Sequence, residues 1–214
     1  MGQVLPRLVL ATHNDDKVRE LRELLQELVP ALGPVVSVGE LLRQGLGDPP
    51  EIVEDQPTLE GNAVKKARAV AAWSGVPALA DDTGLEVFAL GGRPGVCSAR
   101  YAGPGATYAD NRRKLLGELA NVADEARAAR FRTVVAVAYD PEHVETAEGE
   151  LRGRITREER GRAGFGYDPI FEIPELGKTL AELTLEEKNR LSHRGRALRA
   201  AVPLLERLVT GPAR

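Results

Sequence analysis

The 214-residue chain has one cysteine, one methionine, one tryptophan and three histidines, and aromatic residues make up only 4% of it. A lone cysteine, Cys97, excludes an intrachain disulfide and a cysteine-based metal site. It is expected to be a small buried hydrophobe. No stretch reaches the roughly 18–20 continuous apolar residues of a membrane span, so no membrane partner is expected. The opening MGQVLPRLVL runs straight into a strand-like segment and lacks a signal-peptide cleavage pattern. With the single cysteine, that points to a reducing, cytoplasmic setting. His143 has no neighbours at metal-ligand spacing and reads as a surface residue. The net charge of −3 gives no general attraction to nucleic acid, and none is expected as a partner.

Lysine is also scarce, with 6 lysines against 23 arginines. Where lysine persists, a compact ammonium is favoured over a planar fork. The six are Lys17, Lys65, Lys66, Lys114, Lys178 and Lys188.

The patterning that is present alternates strands with helices, which predicts an α/β layered fold. Residues 7–11, RLVLA, suit a buried strand. Asn14 or Asp15 can cap a helix whose Leu21, Leu24, Leu25 and Leu28 form a core-facing stripe, ending at Pro30 and Gly33. Residues 34–57 read mostly as loop with a short strand near 35–38. Thr58 can cap a helix reaching about Trp73, with Leu59, Ala63, Ala67 and Val70 inward and Asn62 and Lys66 together on another face. Residues 78–80 and 85–90 read as strand, interrupted by the polar run Asp81-Asp82-Thr83-Gly84. A helix over about 107–121 and a strand over 131–139 follow, the strand paired with 145–155 across an Asp140-Pro141 turn. Residues 157–171 read as a Gly- and Arg-rich loop; Arg152, Arg154, Arg157, Arg160 and Arg162, interleaved with Glu158 and Glu159, read as solvated loop charge in preference to an RNA site. Thr184 and Glu187 form a capping box. Ser192 can cap the last helix, in which Pro203 predicts a kink or an early end.

Five places could carry chemistry. The turn Thr12-His13-Asn14-Asp15-Asp16-Lys17 sits between strand and helix, where backbone N–H groups favour anions; it lacks the glycines of a P-loop, and a routine capped turn is the plain alternative. Glu51, Glu54 and Asp55, followed by Asn62 and Lys66, suit Mg²⁺ or a merely solvated loop. Asp81 and Asp82 are acids beside apolar strands, where acids are depleted. On extended backbone they would face opposite ways and need not share a role. In GFGYDP, residues 164–169, the glycines allow close approach to a ligand and Phe165 offers a face for stacking a base; a tight turn with core aromatics is the alternative. Lys188, Ser192, His193 and Arg194 supply donors for a phosphate or a purine carbonyl, or a simple cationic helix junction.

Each signal is weak alone, but their order is specific. LATHNxxK, EDxxTLEGNAxxKA, ADDTGL, GGRPGVxSARY, GFGYDPIF, AELTxEEKN and SHRGxAL together resemble the inosine triphosphatase, or Ham1, family from about Leu8 to Leu198. That resemblance implies an elongated two-lobed α/β fold around a long mixed β-sheet flanked by helices, with the active site in the cleft between lobes. It also implies one domain over 1–214 and a homodimer. The implied activity is Mg²⁺-dependent hydrolysis of ITP, dITP and XTP to the monophosphate and pyrophosphate. Carried over by motif, Thr12, Asn14 and Lys17 contact phosphates, beside His13. Glu54 and Asp82 hold Mg²⁺. Asp82, with Asp81 beside it, is the proton acceptor, and Thr83 and Lys66 position the triphosphate. Phe165, Gly166, Tyr167, Asp168, Lys188, His193 and Arg194 bind the nucleotide. His13 stands where glycine is common in that family, and Gly61 where glutamate is common. A Maf-like pyrophosphatase acting on modified nucleotides and a non-catalytic nucleotide- or RNA-binding module are the competing expectations.

Overall fold

The computed structural model describes residues 6–210; residues 1–5, the start of the segment read as leaderless, and 211–214 lie outside it. The fold is α/β, with a long mixed open sheet flanked by helices. The sheet order is β2 (Val35–Ser37), β1 (Leu8–Leu10), β3 (Ala78–Val87), β5 (Ala128–Ala138), β6 (Val144–Ile155), β7 (Phe171–Ile173), β8 (Lys178–Thr179), with β4 (Pro94–Gly95) paired to β3. Two compact units are distinguished. Among the described residues, one comprises 6–82, Val134–Gly149 and 197–210, the other Thr83–Thr133 and Glu150–Arg196.

In the first unit, β1 (Leu8–Leu10) pairs in parallel with β2 (Val35–Ser37) and with the start of β3 (Ala78–Val87). Between β1 and β2 runs α1 (Asp15–Leu28). Asn14 caps it by accepting from the Asp16 and Lys17 amides, and Asp15 and Asp16 complement the positive end of its dipole. Leu21, Leu24 and Leu25 are buried as the stripe predicts, against Leu8, Leu10, Leu79, Val135, Val137 and Leu198. The loop expected over 34–57 contains a helix, α2 (Val38–Arg43), fastened by a reciprocal Ser37–Glu40 capping box. The S-x-x-E signature was readable there, but Gly39 and the short apolar content masked it. α3 (Leu59–Ser74) starts at the Thr58 cap and stops at left-handed Gly75.

The interruption expected at residues 81–84 does not occur: β3 continues through both acids. Strand propensity yields to tertiary context, because each carboxylate finds a lysine. The last helix, α6 (His193–Thr210), likewise runs past Pro203 without ending. Leu204 and Leu205 are buried and Leu208 and Val209 pack on the same core. That burial offsets the roughly 3 kcal/mol an interior proline costs.

The second unit holds β4 (Pro94–Gly95), α4 (Tyr108–Glu118, capped by Thr107 and Asp110), parts of β5 (Ala128–Ala138) and β6 (Val144–Ile155), β7 (Phe171–Ile173), β8 (Lys178–Thr179) and α5 (Leu185–Leu191). Its core gathers Leu85, Leu115, Leu119, Phe131, Ile155, Tyr167, Ile170 and Phe171. The Thr184–Glu187 box starts α5 as expected. Two other expectations need correction. Cys97 is exposed: the turn after β4 buries its neighbour Ser98, whose hydroxyl donates to the Gly95 carbonyl at 2.6 Å and accepts from the Leu85 amide at 2.9 Å. The arginines are not all solvated either. Arg152 and Arg154 lie on β6, and Arg154 and Arg160 both grip the buried Glu172 at 2.5 Å.

Gly153 marks where β6 and β7 lie tightest. A methyl group there would sit 2.4 Å from the Glu172 carbonyl oxygen and 2.6 Å from the Phe171 ring. Gly153→Ala is therefore expected to destabilise the protein by about 1–3 kcal/mol, as overpacking does. A lowered urea midpoint with an unchanged slope is the measurement; an unshifted midpoint counts against it.

Candidate functional site

In the first unit the side chains of α1, α3, β3 and the loop before α3 converge. Lys66 is 9% exposed. Its Nζ lies 2.6 Å from Glu54 Oε1 and 3.0 Å from Asp82 Oδ1. Lys17 Nζ lies 3.1 Å from Asp81 Oδ1. The two adjacent acids of β3 thus address different lysines, as alternating strand geometry requires. Asn62, one helical turn before Lys66, donates from Nδ2 to Asp82 Oδ2 at 3.3 Å.

The electrostatics follow from burial and crowding. Desolvation pushes the Asp82 carboxyl above its ordinary range, and with the adjacent Glu54 it outweighs the opposing pull of Lys66. Burial alone would lower the Lys66 ammonium, but Asp82, Glu54 and Asp81 hold it above its usual value. Glu54, Asp81, Asp82, Lys17 and Lys66 carry three negative charges against two positive ones. This cluster favours further positive charge.

Among the described residues no group of three or more metal-ligating side chains exists. A closed protein cage is therefore not offered. Two carboxylates converging on one cation, Lys66, form an oxygen-only donor set. That fits Mg²⁺, which is bound through one or two carboxylates with substrate phosphates and waters completing its shell.

The turn before α1 is a capped turn first. The Asn14 backbone N–H donates to Thr12 Oγ1 at 3.2 Å, while Asn14 Oδ1 accepts from the backbone N–H groups of Asp16 and Lys17. His13 is exposed. The turn leaves Lys17 directed at Asp81, so the ammonium and the helix start belong to one local structure.

The second unit builds a different cluster around GFGYDP. Asp168 Oδ2 accepts from the Phe165 amide at 2.9 Å and from Lys188 Nζ at 2.7 Å. Gly164 is required: its φ is +72°, and a Cβ there would sit 2.1 Å from Asp168 Oδ2. Phe165 is flanked by cations, with Lys188 Nζ 4.8 Å and Arg194 Cζ 5.5 Å from its ring centre. Tyr108 approaches it at 5.9 Å. Arg194, 1% exposed, donates to Thr83 Oγ1 at 3.4 Å. The Thr83 hydroxyl exchanges a hydrogen bond with buried Thr133 at 2.7 Å. Two predicted binding residues have structural work as well. Tyr167 is buried and donates its hydroxyl to the Ser98 carbonyl at 2.8 Å. The His193 ring stacks on Phe131 at 4.4 Å.

Two residues in these clusters have no role in the sequence reading, and a third, Asn62, is only grouped there with Lys66. Thr133 is legible only as one inward position of a strand. Arg112 grips Glu159 through two bonds, at 2.8 and 3.0 Å, and donates to the Gly166 carbonyl at 2.9 Å. Nothing in its sequence surroundings separates it from Arg113. Asn62 is visible as a helix-face neighbour of Lys66, but its bond to Asp82 needed the fold.

Comparison with known proteins gives a consistent set. The Ham1 family model matches residues 8–204. A dITP/XTP pyrophosphatase of Desulforamulus reducens is 50% identical over 202 residues, covering 94% of this chain and 96% of its own. One from Bacillus subtilis is 45% identical, covering 95% and 98%. The solved structure of a HAM1 protein from Coxiella burnetii superposes with a TM-score of 0.81 at 40% identity, covering 94% of this chain and 99% of that one.

Proposed function

Since this chain belongs to the Ham1 family, we propose that it hydrolyses deaminated purine nucleoside triphosphates (ITP, dITP and XTP) to the monophosphate and pyrophosphate, clearing them from the nucleotide pool. The observation that carries this reading is Lys66, held by Glu54 and Asp82 at once. Two carboxylates and an ammonium drawn together support a site for a metal-bound triphosphate. Glu54 and Asp82 would hold Mg²⁺. Bound there, the ion supplies several kcal/mol of charge stabilisation at the phosphates.

The chain's own groups account for the rest. A water oxygen attacks the α-phosphorus and the bond from that phosphorus to the α–β bridging oxygen breaks. Asp82 takes the water proton, and pyrophosphate leaves. Lys17 and Lys66 meet the leaving group's charge, with Thr12, His13 and Asn14 at the phosphate turn and Asp81 aiming Lys17. Phe165 stacks the base, Gly166 and Tyr167 set the loop's shape, and Asp168 fixes both Lys188 and the Phe165 amide. Lys188 reaches a phosphate and Thr83 helps position the triphosphate, while His193 and Arg194 supply donors that suit a 6-oxo group. A donor-lined site rejects a 6-amino purine because it leaves donors facing donors, worth up to about 10⁴–10⁵-fold. We further propose that the enzyme is one domain over residues 1–214, works as a homodimer and resides in the cytoplasm.

The test is a panel of nucleoside triphosphates with Mg²⁺, scoring pyrophosphate against orthophosphate. Release of pyrophosphate from dITP and XTP far above that from dATP is expected. Preference for methylated dTTP or UTP, or binding without turnover, would reject the reading. Phe165→Ala is expected to raise KM for dITP by at least about 5-fold and up to about 150-fold, since aromatic stacking of a base is worth about 1–3 kcal/mol. Unchanged KM and kcat would remove Phe165 from the base site.

A further inference from the structure

We propose that Asn62 is a positioning residue that ties the Glu54 loop to Asp82, so that the two carboxylates stay convergent before any ligand arrives. The proposal rests on the reading of Glu54 and Asp82 as the metal-holding pair.

Asn62 is 1% exposed and sits in the first turns of α3. Its Oδ1 accepts from the backbone N–H of Gln56 at 3.0 Å. Its Nδ2 donates to Asp82 Oδ2 at 3.3 Å. The two ends cannot be exchanged. The Gln56 amide can only donate, so it requires the oxygen of Asn62; an ionised Asp82 can only accept, so it requires the nitrogen. One side chain thus spans from the segment two residues after Glu54 to the opposite carboxylate. Both oxygens of Asp82 are then engaged, Oδ1 by Lys66 at 3.0 Å and Oδ2 by Asn62, and the plane of the carboxylate is set.

A second observation points to the same clamp. Gly61 precedes Asn62, and a Cβ there would lie 2.8 Å from Gln56 Cβ and 3.2 Å from its Cγ. The missing side chain lets Gln56 lie flush on the start of α3, within reach of Asn62. Gly61, where glutamate is common in the family, belongs here to the same device.

Outer groups that orient metal ligands typically contribute about 10–100-fold in metal affinity. Asn62→Ala should therefore raise the Mg²⁺ concentration for half-maximal dITP hydrolysis by about 10–100-fold, with kcat at saturating Mg²⁺ falling less. In the metal-free protein, backbone amide exchange at Gln56 should speed up while the helices keep their protection. Asn62→Asp keeps an acceptor for Gln56, so that amide should stay protected. Should Asn62→Ala fail to fold, Gly61→Ala replaces it. That substitution favours helix, pushes Gln56 off α3, and should shift Mg²⁺ half-saturation and Gln56 exchange in the same direction. Unchanged Mg²⁺ half-saturation in either variant, or unchanged Gln56 exchange in Asn62→Ala, overturns the proposal. If the unmodified protein hydrolyses no nucleotide, the functional reading has failed separately. Gln56 exchange and a calorimetric Mg²⁺ titration of the nucleotide-free protein then still decide the bridge.

Discussion

Asp82→Asn is expected to lower kcat for dITP by about 10²–10⁴-fold, the usual contribution of a positioned base, while the fold survives. The substitution preserves shape but removes both the proton acceptor and one negative charge from a cluster that has three carboxylates to two lysines. Steady-state kinetics with circular dichroism as the control is the measurement; a folded variant with parental kcat would end the assignment. The pH dependence carries the same logic. Burial first, and Glu54 second, hold the Asp82 carboxyl above the ordinary aspartate value of 3.8 against the pull of Lys66. A base works only when ionised, so the acid limb of kcat/KM at limiting Mg²⁺ should lie above pH 3.8. A cation on the carboxylate favours its ionised form, so raising Mg²⁺ should move that limb to lower pH. A limb indifferent to Mg²⁺ would separate Asp82 from the metal.

The second large effect is on stability. Asp168 and Lys188 form an ion pair at 2.7 Å with side chains only 5% and 4% exposed. Asp168→Ala leaves a buried ammonium without its carboxylate and the Phe165 amide without its acceptor. Breaking such a pair from one side costs about 3–5 kcal/mol, a large part of a typical domain's stability. Asp168→Leu combined with Lys188→Met should recover much of the loss, since replacing both charges is often nearly neutral. Activity should stay low in that double variant because the donor at Lys188 is gone. Urea unfolding checks both; equal stability of the single and double variants would show that the pair is not the cause.

What the sequence made legible followed from local rules. The leucine stripe and Asn14 cap of α1, the Thr58 start and Gly75 stop of α3, and the Thr184–Glu187 box are each written in contiguous residues. The misreadings share one origin. The poor strand propensity of acids predicts a break at Asp81, yet Lys17 and Lys66 come from 64 and 16 positions away to neutralise the pair. Pro203 predicted a helix end, yet distant core contacts carry α6 onward. Residue type alone predicts Cys97 inside, yet its neighbour Ser98 makes the inward bonds. For the candidate site, residue types in order single out Glu54, Asp82, Lys66 and the aromatic loop, and the fold brings the first three into contact. Arg112, Thr133 and the bridging bond of Asn62 were not accessible, because each depends on a partner that only the folded chain brings near.

The pairing of each key lysine with an internal carboxylate has a consequence for anion traffic. Lys17 leans on Asp81, Lys66 on Glu54 and Asp82, and Lys188 on Asp168. At rest, every one of these cations is already spoken for by the protein itself. Small oxyanions such as sulfate must compete with tethered rivals at high effective concentration, and should bind feebly. A ligand that brought its own divalent counter-ion to Glu54 and Asp82 would take over the carboxylates that hold Lys66 and free that ammonium for the ligand's phosphates.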